Sequence, residues 1–150
     1  MRFFILISSF CFLSIAGIAQ GLLNNGANIV LQNGSNVVIS GNGNWTNNGT
    51  VNCNSGSTVL FVGSSLQSID GTNTTAFSNL TVNNTGGGII INRDISVLST
   101  LQMNSGDIDL KSSIVDLSTT GLLSNESASR RIKATDALGS DGLGSGTIRA

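Results

Sequence analysis

The chain has no proline, no histidine and no tyrosine, and only one tryptophan and two cysteines in its 150 residues. Each absence closes off some chemistry. Without histidine, Ser-His-Asp and Cys-His catalysis and histidine-ligated metals are unavailable. Cys11 lies in an apolar N-terminal stretch, so Cys53 is the one cysteine of the remainder, and no disulfide framework is expected. Cys53 occupies an apolar strand position and reads as a small buried hydrophobe. Charge is also scarce. From Gln20 to Asn92 the only charged side chain is Asp70. A nucleic-acid partner needs clustered Lys and Arg to neutralise phosphates, and none is expected here. Simple disorder is equally at odds with the composition, because disordered chains are poor in the Val, Ile and Leu that recur here.

Residues 1–19 read as a signal peptide. Arg2 supplies a positive n-region, Phe3 to Ile15 is apolar but short for a bilayer span, and Gly17-Ile18-Ala19 offers small residues at a cleavage site. Cleavage after Ala19 would start the mature chain at Gln20 and leave no membrane span.

What the chain has in abundance is regular punctuation. Glycines at 26, 34, 41, 49, 56, 63 and 71 follow one another at spacings of 7 or 8 residues. Most follow Asn, Asp or Ser, dipeptides that favour turns with positive φ. Between them lie short apolar runs: Ile29-Val30-Leu31, Val37-Val38-Ile39, Val51-Asn52-Cys53 and Val59-Leu60-Phe61. A longer period of 22 sets Ile29 over Val51, Leu31 over Cys53, Val37 over Val59 and Ile39 over Phe61. Three strand-and-turn units make one such period. This predicts an all-β fold, a right-handed parallel β-helix with about 20–22 residues per coil, whose like positions stack and fill the interior. Antiparallel hairpins would explain the 7–8 residue beat but not the longer one. The eight residues just paired form the expected core. One position fits poorly: Trp45 falls over Gln67, which suggests a local bulge or an outward tryptophan.

Beyond Asp70-Gly71, Thr72 to Thr75 reads as a short loop, and the period shortens to 20–21. Leu80 and Val82 recur as Leu101 and Met103, Ile95 and Val97 as Val115 and Leu117, and Leu101 again as Leu122. The β-helix region is expected to cover residues 20–133 in five or six coils. Residues 134–150 read as a Gly/Ser-rich loop followed by a new strand at Thr147-Ile148-Arg149. No cap follows, so the chain is expected to continue in a longer protein or to stack its open end on a partner.

Candidate chemistry is thin. Carboxylate pairs could do acid–base work on a glycan. Asp107 and Asp109 should share a strand face, and Asp94 and Asp116, 22 apart, should stack on neighbouring coils. Asp136 and Asp141 could bind calcium, but their run lacks the EF-hand and nonapeptide spacings and reads as a loop. Arg131 and Lys133 share a face, which suggests a charged edge that discourages aggregation. Turn asparagines have a structural role available, since stacked amides can hydrogen-bond along a ladder. No catalytic, cofactor-binding or metal-binding residue is therefore expected, and no enzyme.

Phe77-Ser-Asn-Leu-Thr-Val-Asn-Asn, followed by Leu101-Gln-Met-Asn-Ser-Gly-Asp-Ile-Asp-Leu and by the run from Gly121 to Lys133, resembles the repeat of large secreted surface proteins of Bacteroidetes-type bacteria. The resemblance covers roughly residues 77–133. It implies an exported, adhesin-like structural segment of a longer chain, at the cell surface or secreted. Its partners would be glycans, other surface proteins and the remaining coils. Such proteins often carry a C-terminal sorting domain, which this sequence lacks. A glycan-active β-helix enzyme using an Asp face is the first alternative. An ice- or mineral-binding solenoid ranks last, because Thr is scattered and forms no repeated T-x-T face.

Overall fold

The computed structural model describes residues 21–150; the expected signal peptide, its cleavage site and Cys11 lie outside the described residues. Each coil carries three short strands. The first coil holds β1 (Leu22–Asn24), β2 (Asn28–Leu31) and β3 (Asn36–Ser40), and the second β4 (Trp45–Asn47), β5 (Thr50–Cys53) and β6 (Thr58–Gly63). In the third, β7 (Gln67–Asp70) is followed by the long β8 (Thr75–Asn84), which bends through a corner and serves two faces. The fourth repeats this with β9 (Ile89–Ile91) and β10 (Ile95–Ser105). The fifth holds β11 (Ile108–Asp109), β12 (Ile114–Asp116) and β13 (Leu122–Ser124), and β14 (Ile132–Lys133) and β15 (Thr147–Arg149) begin another. Every pairing between these strands is parallel and joins a strand to its equivalent one coil away. The fold is thus a parallel β-helix of about five turns, not a hairpin meander. We call its sides face A (β1, β4, β7, β9, β11, β14), face B (β2, β5, the starts of β8 and β10, β12, β15) and face C (β3, β6, the ends of β8 and β10, β13).

The 22-residue rows stack as the sequence predicts. Ile29 pairs with Val51, Leu31 with Cys53, Val37 with Val59 and Ile39 with Phe61. Five of these eight are buried, and Ile29, Val37 and Cys53 are partly buried against the same core. Burial raises the Cys53 thiol pKa, outweighing a backbone hydrogen bond near Ser78. Leu80 continues the Val59 row and Val82 the Phe61 row, ending in Leu101 and Met103.

Three expectations need correction. Trp45 is neither outward nor bulged. It pairs with Ile69, 24 residues on, because the corner entering β7 is two residues longer than the one entering β4. Its indole is fully buried, meets the Phe77 ring edge-on at 5.2 Å, and donates Nε1–H to Thr75 Oγ1 at 3.1 Å. Thr75 is accordingly no loop residue but the buried start of β8. Finally, Leu101 pairs with Leu123 rather than Leu122. A one-residue slip turns a strand's side chains over, so Leu123 packs on the core while Leu122 is 66% exposed.

Glycine punctuation serves two ends. Gly26, Gly34, Gly41, Gly56 and Gly71 do adopt positive φ. Gly49 does not; there a Cβ would sit 2.4 Å from the Ala27 carbonyl oxygen, so glycine permits the coils to approach.

Candidate functional site

Polar side chains inside the corners come first, because they decide what is left for chemistry. Between faces A and B, Asn24 Nδ2 donates to Asn47 Oδ1 at 3.1 Å, and Asn47 Nδ2 donates to Thr75 Oγ1 at 3.1 Å. Asn24 Oδ1 accepts Ala27 N–H and Asn47 Oδ1 accepts Gly49 N–H. Between faces C and A, buried Gln67 donates to the carbonyls of Ile39 and Gly43 and accepts from Asn84 Nδ2 at 2.9 Å. Asn84 Oδ1 accepts Gly86 N–H and Gly88 N–H. The expected amide ladder is therefore real, and part of it is internal. Gln67 was not legible as a core residue: only its partners, 17 to 28 positions away, make its burial affordable.

The fifth coil carries the candidate carboxylates. Asp107 and Asp109 flank Ile108, whose side chain enters the core, but they take different partners. Asp107 accepts Arg131 N–H at 2.8 Å and pairs with Lys133 Nζ at 3.0 Å. Asp109 is covered by the segment after β14. It accepts the N–H of Lys111 and of Thr135 and the Thr135 hydroxyl at 2.6 Å, with Lys111 Nζ at 3.2 Å. Burial pushes both carboxyl pKa values up, yet these hydrogen bonds and the nearby ammonium groups outweigh it and hold both below the ordinary value. A general acid needs the opposite shift.

Asp94 and Asp116 do not stack. On face B these coils are 20 residues apart: Ser96 pairs with Asp116, and Asp94 accepts Ile114 N–H at 2.8 Å. The 22-residue spacing thus leaves the two carboxylates two positions out of register. Asp116 instead accepts Ser118 N–H within its own turn. Asp136 and Asp141 also separate. Asp136 accepts the N–H groups of Leu138 and Ser140, while Asp141 pairs with Arg131 at 3.0 Å. Among the described residues no group of three or more His, Cys, Asp or Glu could hold a metal ion. The remaining acids are also engaged: Asp70 accepts from Asn92 Nδ2 and from the Ser68 hydroxyl, and Glu126 accepts Ile132 N–H. All eight carboxylates of the chain therefore hold the fold together.

No family model, no curated protein and no solved structure matches the chain. The site must be judged on its own geometry. A solvent-open hollow of about 480 Å³ lies beside the segment after β14, lined by Lys111, Thr135, Asp136 and Leu143 among others. Its charged groups are the ones just described, already committed to Asp109 and to the Asp136 turn. Among the described residues no helix is long and apolar enough to cross a membrane.

The distribution of charge separates the three faces. Face A carries Asp70, Asp109 and Lys133, and face B carries Asp116 and Arg149. The strand segments of face C contain no ionisable side chain in any of five coils. Its outward rows run Asn36, Thr58, Asn79, Thr100, Leu122 and, beside them, Val38, Leu60, Thr81, Gln102, Ser124. Sequence reasoning missed this surface, because its residues recur at offsets of 21 and 22 and look like ordinary polar filler until stacked.

Proposed function

We infer that the chain is an exported structural or adhesive β-helix segment of a bacterial cell-surface or secreted protein. One observation carries this reading: every carboxylate is spent on backbone N–H groups, side-chain donors or basic partners of its own or the next coil. A catalytic acid must be free to exchange its proton with substrate. The enzyme alternative rested on an Asp94–Asp116 pair that the register separates. Export is supported by the N-terminal pattern, and an adhesive role by the repeat's resemblance to secreted surface proteins. A β-helix suits such a role because its stacked coils present long, rigid, flat faces.

Expressing the full chain in a Gram-negative host tests the reading. Exported material beginning at Gln20, accessible to protease on intact cells and inert towards a polysaccharide panel, is the expected result. A mass retaining Met1 to Ala19, or turnover abolished by Asp94→Asn or Asp116→Asn, would overturn it.

A further inference from the structure

We propose that face C is a docking surface for an uncharged polysaccharide chain. The inference rests on the adhesive reading above and assigns it a surface and a ligand class.

Three observations converge. The first is charge. Anionic glycans would lose hydration on this face and gain no cation in return. A neutral chain meets no such penalty.

The second is hydrogen-bonding capacity. On faces A and B many outward amides are consumed between coils, as in Asn28–Asn52 and Asp70–Asn92. On face C the hydroxyls of Thr58, Thr81 and Thr100 and the amide of Asn83 have no partner among the described residues. They lie on three neighbouring strands in register. Hydroxyls and amides both donate and accept, which suits the dense hydroxyls of a sugar polymer. Val38, Leu60 and Val62 form an aliphatic patch beside them, on which the C–H side of a sugar ring can rest. Val38 is 55% exposed.

The third is size. Five strands about 4.8 Å apart and about five residues wide cover roughly 19 Å by 16 Å, or about 300 Å². A stable protein interface needs about 800 Å² from each partner. The face is too small for a second copy of this chain but wide enough for a few sugar units, and a flat face repeats well against a polymer.

The test is a pull-down of the full chain by insoluble neutral polysaccharides (cellulose, chitin and starch granules), with alginate beads as the anionic comparison. The expected result is retention on at least one neutral polymer and none on alginate. Thr81→Glu, at the centre of face C, should lower retention about tenfold by desolvating an unpaired charge. Ala76→Glu, exposed on face B, should leave it unchanged. Gln102→Glu repeats the test if the first variant melts early. Retention on none of the neutral polymers, equal retention of the face B and face C variants, or preference for alginate would overturn the proposal. So would a concentration-dependent dimer in sedimentation that Thr81→Glu dissolves, which would assign the face to a second copy. Surface display and intact mass are read separately. Failed retention by a displayed chain overturns only the face assignment, whereas a chain kept inside the cell overturns only the export reading.

Discussion

In the first three coils the corners are sealed by neutral side chains; in the last two they are sealed by carboxylates. Asn24, Asn47 and Thr75 link three successive coils by hydrogen bonds that no accessible pH disturbs. In the later coils the equivalent work is done by Asp107, Asp109 and their basic partners. Backbone geometry divides the same way. Positive φ is confined to glycine in the early coils but falls on Lys111, Ser118 and Asn125 in the late ones. The coil lengths differ too. Face B steps by 22 residues from β2 to β5, but by 33 from β12 to β15, where residues 134–146 are inserted. The comparison teaches that one stacked core tolerates two kinds of corner. Regular corners need only glycine and amides. Irregular ones expose more backbone N–H groups, and carboxylates, as strong acceptors, hold those in place.

The largest effect should come from breaking what both regions share. Phe61 is fully buried and stacks between Ile39 and Val82. Phe61→Ala should cost about 3–5 kcal/mol in denaturant unfolding. A loss under about 0.5 kcal/mol, within the range of ordinary surface changes, would show that the row is not packed as described.

The second test sharpens the contrast. Asn47→Ala and Asp109→Ala each strand buried donors and should cost about 1–3 kcal/mol near neutral pH. Their pH responses should differ. Asp109 has a folded pKa below its ordinary value of 3.8. Its contribution is therefore complete above that value and is lost as pH falls through and below it. The Asp109→Ala penalty should shrink in acid, while the Asn47→Ala penalty should not. Hydrogen exchange at mildly acidic to strongly acidic pH would locate the loss: amides of β11 and of residues 134–146 should open before those of β2 and β5. Uniform opening along the column would erase the distinction between the two regions.

The smallest effect belongs to the charge pairs at the surface. Lys133 and Asp107 are both about a quarter exposed, so Lys133→Met should cost under about 1 kcal/mol and less still in high salt. A salt-independent cost of several kcal/mol would place that pair in the interior.

Much of the fold was legible because stacking identical positions makes the sequence repeat at the coil length. Ile29 over Val51 and Ile39 over Phe61 needed only that repeat. Leu122 and Trp45 were misplaced for one reason: corners gain or lose one or two residues, and each change moves every later position relative to the coil below. The carboxylates were harder still. Asp94 and Asp116 suggested a pair because 22 was the local expectation, yet the coils there are 20 apart.

Alternating apolar residues between regular glycine turns were enough, alone, to determine a parallel coil with an aliphatic core, since only stacking like on like buries those side chains together. The tertiary structure alone decided that Gln67 could be buried, that every acid would be tied to a donor or a basic partner, and that one face would be left without charge. Those outcomes depend on partners some 20 residues away in sequence and one strand away in space. Corner lengths, added up along the chain, set which residues meet, and no local pattern records that total.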